Sequence, residues 1–136
     1  MLDFLSEKIK KNILNYGYDN IYEIRIRCNK NVCVSYKGNY IEIPNTKTSQ
    51  KEIESFYLNA CSYSVYSFQN SIVNGYITTK DSERIGLCGE FAYENEKIIS
   101  MKNLTSLVIR IPHQILNSSQ YIQPLINSKI KNIMMI

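Results

Sequence analysis

Four arginines, Arg25, Arg27, Arg84 and Arg110, are the residues best equipped for chemistry in this chain. It carries 16 basic residues, and the other 12 are lysines. A guanidinium is a planar fork of donors that fits carboxylate or phosphate oxygens, whereas an ammonium is a point charge. Positions that keep arginine in a lysine-using chain are therefore candidates for binding an anion. All four fall in segments that read as β-strands. They could equally pair with strand carboxylates such as Glu23, Glu42 or Glu90, as ion pairs worth under ~1 kcal/mol each. Both readings stay open at the level of sequence.

Other reactive side chains form no recognisable constellation. Cys28, Cys33, Cys61 and Cys88 include no Cys-x-x-Cys spacing, and His113 is the sole histidine, so a zinc site is not expected. Reduced thiols behave as small apolar residues, and His113, just after Pro112, reads as a surface loop residue rather than a catalyst. No paired carboxylate or triad suggests a self-contained enzyme.

The chain of 136 residues has the size of one domain, and its 44% hydrophobic and 21% charged content is that of a globular protein. No apolar run reaches the ~18 residues a membrane helix needs, and the mixed-charge N-terminus does not resemble a signal peptide. A cytoplasmic protein is expected. A net charge of +4 is too mild to imply nucleic acid. The 11 tyrosines suit an interface but form no recognisable stacking motif, so nucleic acid is not the expected partner.

The elements that must position the arginines follow from periodicity. Leu2, Leu5, Ile9, Ile13 and Tyr16 recur at helical spacing up to Gly17. Residues 22–28 alternate as a strand, with Tyr22, Ile24, Ile26 and Cys28 on one face and Glu23, Arg25 and Arg27 on the other. Residues 32–37 and 40–43 predict a hairpin around Gly38-Asn39. Ser49 and Glu52 form a capping box that opens a helix through Ile53, Phe56, Tyr57 and Ala60. The pattern loses register at 62–64, and a short helix through Val65, Phe68 and Ile72 runs into Gly75, placed to cap it in a left-handed conformation.

Strands are predicted at 76–79 and 84–91. In the second, Ile85, Leu87, Gly89 and Phe91 share one face and Arg84, Gly86, Cys88 and Glu90 the other. Gly86 and Gly89 in mid-strand call for a bulge, a crossing helix or the close approach of another backbone. A turn at 94–96 precedes strands at 97–101 and 104–111. Ser118 or Ser119 is expected to cap a short helix through Tyr121, Ile122, Leu125 and Ile126. Residues 129–136 read as a buried strand at the chain's end, and truncation of a longer protein explains it better than an edge strand does. The fold class is α+β, an antiparallel or mixed sheet packed with helices.

Four segments together resemble the stage III sporulation protein AA family in order and spacing: Glu-Ile-Arg-Ile-Arg (23–27), Tyr-Ser-Val-Tyr-Ser-Phe-Gln-Asn-Ser-Ile-Val-Asn-Gly-Tyr-Ile-Thr (63–78), Arg-Ile-Gly-Leu-Cys-Gly (84–89) and Leu-Thr-Ser-Leu-Val-Ile-Arg-Ile (104–111). The resemblance spans nearly the whole chain. It implies a relative of the secretion and pilus ATPases, in which an N-terminal α+β domain, here residues 1–128, precedes a RecA-like ATPase domain, of which 129–136 would be the first strand. Gly-x-x-x-x-Gly-Lys-Ser/Thr occurs nowhere in these residues, so the chain alone is not expected to hydrolyse ATP; ATP and Mg2+ are implied for the full-length family.

By the same resemblance, Arg84 and Arg110 are the expected nucleotide contacts. Arg25 and Arg27 are expected to serve a subunit interface or ion pairs. Implied partners are further copies of the chain in a hexamer, and membrane proteins of a sporulation channel complex on the mother-cell side. The alternative is a stand-alone module that binds protein or nucleic acid.

Overall fold

The architecture is one six-stranded sheet with helices on a single face, as seen in a computed structural model that describes residues 1–113, 117, 120 and 123–126. In chain order the elements are α1 (Glu7–Leu14), β1 (Ile21–Arg27), β2 (Cys33–Tyr36), β3 (Asn39–Glu42), α2 (Gln50–Ala60), α3 (Gln69–Ile72), β4 (Tyr76–Thr78), β5 (Arg84–Glu94), β6 (Lys97–Arg110) and α4 (Gln123–Ile126). The spatial order is β3-β2-β1-β6-β5-β4, and every pairing is antiparallel. The expected α+β class is therefore observed, in its antiparallel form. The predicted Ser118/Ser119 cap, Tyr121 and Ile122, the 128/129 domain boundary and the strand at 129–136 lie outside the described residues.

Alternation explains which face is covered. Ile24, Ile26, Val34, Ile77, Ile85, Leu107 and Ile109 point to one side and are buried beneath Ile9, Ile13, Ile53, Phe56 and Ile72 of the helices. Burying each such side chain contributes ~1.5–3 kcal/mol, which fixes the register, since a one-residue slip would turn the whole set to solvent. Local signals hold the helices in place. The Ser49 hydroxyl accepts from the Glu52 amide while the Glu52 carboxylate accepts from the Ser49 amide. Gly75 takes φ +76° and its amide donates to the Ile72 carbonyl at 2.8 Å, as the predicted cap requires.

Several expectations need correction. Leu2 and Leu5 are buried but precede α1, because the buried Glu83 carboxylate accepts the Leu2 amide at 3.0 Å and holds that residue at φ 56°. A bulge between Ile21 and Glu23 shifts the pleat by one residue; Ile21 is buried and Tyr22, expected on the apolar face, is 54% exposed. The first hairpin turns on Lys37-Gly38, one residue earlier than predicted, with φ of 47° and 82°, the two positive values of a type I′ turn. The two strands expected at 97–111 are one, β6, in which residues 103–105 bulge with Asn103 at φ 49° and the pairing with β5 shifts register and resumes on the other side. His113 is half-buried, its Nε2 2.7 Å from the Ile21 carbonyl and its ring stacked edge-on to Tyr22.

The two mid-strand glycines separate. At Gly89, opposite the bulge in β6, a Cβ would stand 2.8 Å from the Lys102 carbonyl oxygen and 3.0 Å from the Leu104 Cα, so backbone approach within the sheet excludes any side chain. At Gly86 the nearest backbone atom would be 3.7 Å away, and no such demand exists.

Candidate anion-binding face

The face opposite the helices carries the arginines. One cross-strand ladder runs over all six strands as Tyr40, Ser35, Glu23, Arg110, Arg84 and Thr78. The neighbouring ladder runs Glu42, Cys33, Arg25, Val108, Gly86 and Tyr76. Arg27 stands one step further along β1, opposite Ser106. Strand alternation thus puts all four arginines on the face that the described helices of the core leave uncovered, and antiparallel pairing brings Arg84 and Arg110 into direct register although they lie far apart in the chain.

Their environments differ. Arg25 donates from Nε to Glu23 Oε1 at 2.6 Å and from Nη2 to the Tyr40 hydroxyl at 2.6 Å, with its guanidinium carbon 4.1 Å from the Tyr40 ring centre. The Tyr40 hydroxyl in turn donates to Glu23 at 3.2 Å. Glu23 Oε2 lies 3.7 Å from Arg110 Nε. Burial raises the Glu23 pKa, but the Arg25 hydrogen bond and charge, with Tyr40 and Arg110 behind them, outweigh it and hold this carboxyl below its ordinary value.

Arg84 lies 3.9 Å from the Tyr76 ring centre, and Tyr76 pairs directly with Gly86. Stacking engages the guanidinium face and leaves its edge N–H groups outward. Among the described residues neither Arg84 nor Arg27 has a carboxylate within ion-pair distance. Glu42 and Glu90, weighed as arginine partners, instead accept from Asn31 at 2.9 Å and Asn103 at 2.9 Å.

Like charges placed directly opposite on neighbouring strands repel. Arg84 facing Arg110 is therefore a costly arrangement that an anion between them would relieve. Guanidinium forks suit the oxygens of carboxylate or phosphate, so the pair has the chemistry of an anion site. No three of the His, Cys, Asp and Glu side chains cluster among the described residues. A separate cleft of about 380 Å³ is lined by three carboxylates, Asp3, Asp81 and Glu83, against one base, Lys80, and is less suited to phosphate. Its Glu83 is engaged by the Leu2 amide and the Thr79 hydroxyl.

Of the thiols, Cys61 is buried, which pushes its pKa up to about 11, and Cys33 and Cys88 lie on the open face. Sequence reasoning found the arginines and named Glu23 as one partner. It missed Tyr40 and Tyr76, which become their neighbours only through cross-strand pairing; tyrosines near the ends of predicted strands were the available signal.

Comparison with known proteins agrees with this architecture. Stage III sporulation protein AA of Bacillus subtilis (strain 168) is 27% identical over 104 residues, which is 76% of this chain and 34% of that protein. The chain thus spans about a third of that relative's length. The Legionella pneumophila ATPase DotB is similar in fold, with a TM-score of 0.51 at 9% identity over 85% of this chain and 31% of DotB. The VirB11 ATPase of the Brucella suis type IV secretion system gives 0.48 at 16% identity over 93% and 38%. No helix among the described residues is long and apolar enough to cross a membrane. The family model described as "Sporulation stage III, protein AA" matches residues 1–136, and the chain belongs to that family.

Proposed function

We propose that this chain is the N-terminal regulatory and oligomerisation domain of a sporulation ATPase that powers or gates a membrane channel complex between mother cell and forespore. Its uncovered sheet face would act as an anion clamp toward nucleotide held by an ATPase domain. The observation that carries this reading is the direct register of Arg84 and Arg110, with Arg84 lacking an acidic partner among the described residues. Family membership and the secretion-ATPase-like fold support it. ATP and Mg2+ would be bound by the second domain. Arg84 and Arg110 would neutralise phosphate charge and couple domain position to nucleotide state, in a homo-oligomer, a hexamer by resemblance, at the cytoplasmic side of the membrane.

The test is ATP turnover by the full gene product carrying Arg84→Ala or Arg110→Ala. Turnover should fall at least about tenfold, the loss of one hydrogen bond to a charged group at about 1.5–3 kcal/mol, with the protein still folded. Unchanged turnover in both variants overturns the clamp.

A stand-alone module that binds protein or nucleic acid is the second reading, and the two arginine–tyrosine stacks on a bare face favour it. Salt-sensitive binding of a single-stranded oligonucleotide, lost in Arg84→Ala, would establish it.

A further inference from the structure

We infer that Glu23 is a built-in competitor for the clamp, a positioning residue whose carboxylate holds Arg110 when no phosphate is present and surrenders it when one arrives. This rests on the anion-clamp reading and adds its regulation. Glu23 lies directly across from Arg110 on β1 and β6, and its two oxygens have different work. Oε1 accepts from Arg25 at 2.6 Å and from Tyr40 at 3.2 Å, so it is anchored from the β1–β3 side. Oε2 meets Arg110 at 3.7 Å, a charge contact beyond ordinary hydrogen-bond length.

Exposure follows the same division. The Glu23 side chain is 15% exposed and the Arg110 side chain 73%, so the carboxylate is fixed and the guanidinium is the part able to move. An incoming phosphate beside Arg84 could draw Arg110 away without disturbing the contacts of Glu23 to Arg25 and Tyr40. The fold therefore divides its arginines. Arg25 is committed to Glu23 and Tyr40, Arg84 is unpaired among the described residues, and Arg110 is shared between an internal carboxylate and an external anion.

The experiment measures the affinity of the 136-residue chain for inorganic pyrophosphate at constant ionic strength, read from the arginine Nε–Hε signals in 1H–15N NMR spectra. Glu23→Gln keeps an acceptor for Arg25 and Tyr40 but removes the charge. It should tighten pyrophosphate binding roughly two- to fivefold, the worth of one partly exposed charge contact. That gain should vanish in an Arg110→Gln background, a non-additivity that a merely structural role would not produce. The Arg110 signal should also move in Glu23→Gln before any ligand is added.

A gain of equal size without Arg110, or no gain, overturns the inference and leaves the clamp standing, provided Arg84→Ala still weakens binding. If neither Arg84→Ala nor Arg110→Gln changes pyrophosphate binding, the clamp reading itself fails. Should Glu23→Gln not fold, Glu23→Asp, which draws the charge back from Arg110, is expected to give a smaller gain in the same direction, and no gain there counts against the inference equally.

Discussion

The open face holds the same motif twice, with opposite electrostatic outcomes. At the β1–β3 end the Arg25 guanidinium lies 4.1 Å from the Tyr40 ring centre, and at the β4–β5 end Arg84 lies 3.9 Å from that of Tyr76. The first stack is closed by Glu23, which accepts from both the arginine and the tyrosine. The second has no acid among the described residues and faces Arg110 instead. Stacking on tyrosine holds a guanidinium in place without neutralising it, so the difference lies in one carboxylate. An arginine with its charge answered supports the fold, and one with its charge unanswered can receive a ligand.

The largest expected effect is the one that should strike both ends together. Ile109 is fully buried and neighbours Arg110 on β6, which pairs with both β1 and β5. Ile109→Ala should cost about 2–5 kcal/mol through lost burial and the cavity left behind, seen as a lower urea midpoint. A loss below about 1 kcal/mol would mean that the two ends do not depend on a common core. Next in size, Arg84→Ala should weaken pyrophosphate binding at least about tenfold, since a hydrogen bond to a charged group contributes about 1.5–3 kcal/mol, with the urea midpoint almost unmoved. Arg25→Ala should do the reverse, lowering the midpoint while leaving binding within about twofold, the weak end of exposed charge effects. If the two variants behave alike, the contrast between the stacks has no energetic content.

How much of this was legible beforehand follows from how local each determinant is. The Ser49–Glu52 box, the Gly75 cap and the alternation of Ile24 with Arg25 are written within a few residues and were readable. The Tyr22 bulge was not, because one inserted residue leaves the composition unchanged and only the burial of Ile21 beside Ile24 betrays it. Nor was the continuity of β6, since Asn103 looks like a strand breaker and serves as a left-handed hinge within the strand. The arginines were visible as a type. Their sorting into answered and unanswered charges depends on the register between β1, β5 and β6, which the shared core sets across long sequence separations.

The smallest effect isolates the carboxylate by pH. The folded-state pKa of Glu23 lies below its ordinary value of 4.5, the Arg25 hydrogen bond and charge overcoming the opposing effect of burial. A group depressed on folding stabilises above its unfolded pKa and loses that contribution as pH falls through the folded one. Wild type should therefore exceed Glu23→Gln in urea midpoint above about pH 4.5, the ordinary carboxyl value, by less than about 1 kcal/mol because these ion pairs keep solvent contact. The gap should close on further acidification, when the wild-type carboxyl is protonated too. Glu52, likewise held low by the Ser49 amide and hydroxyl, titrates in both proteins and cancels from the difference. A gap that persisted with Glu23 protonated would show that the carboxylate acts through packing rather than charge. The β1–β3 stack would then owe its stability to Tyr40, and the two ends of the face would differ in shape instead of in electrostatics.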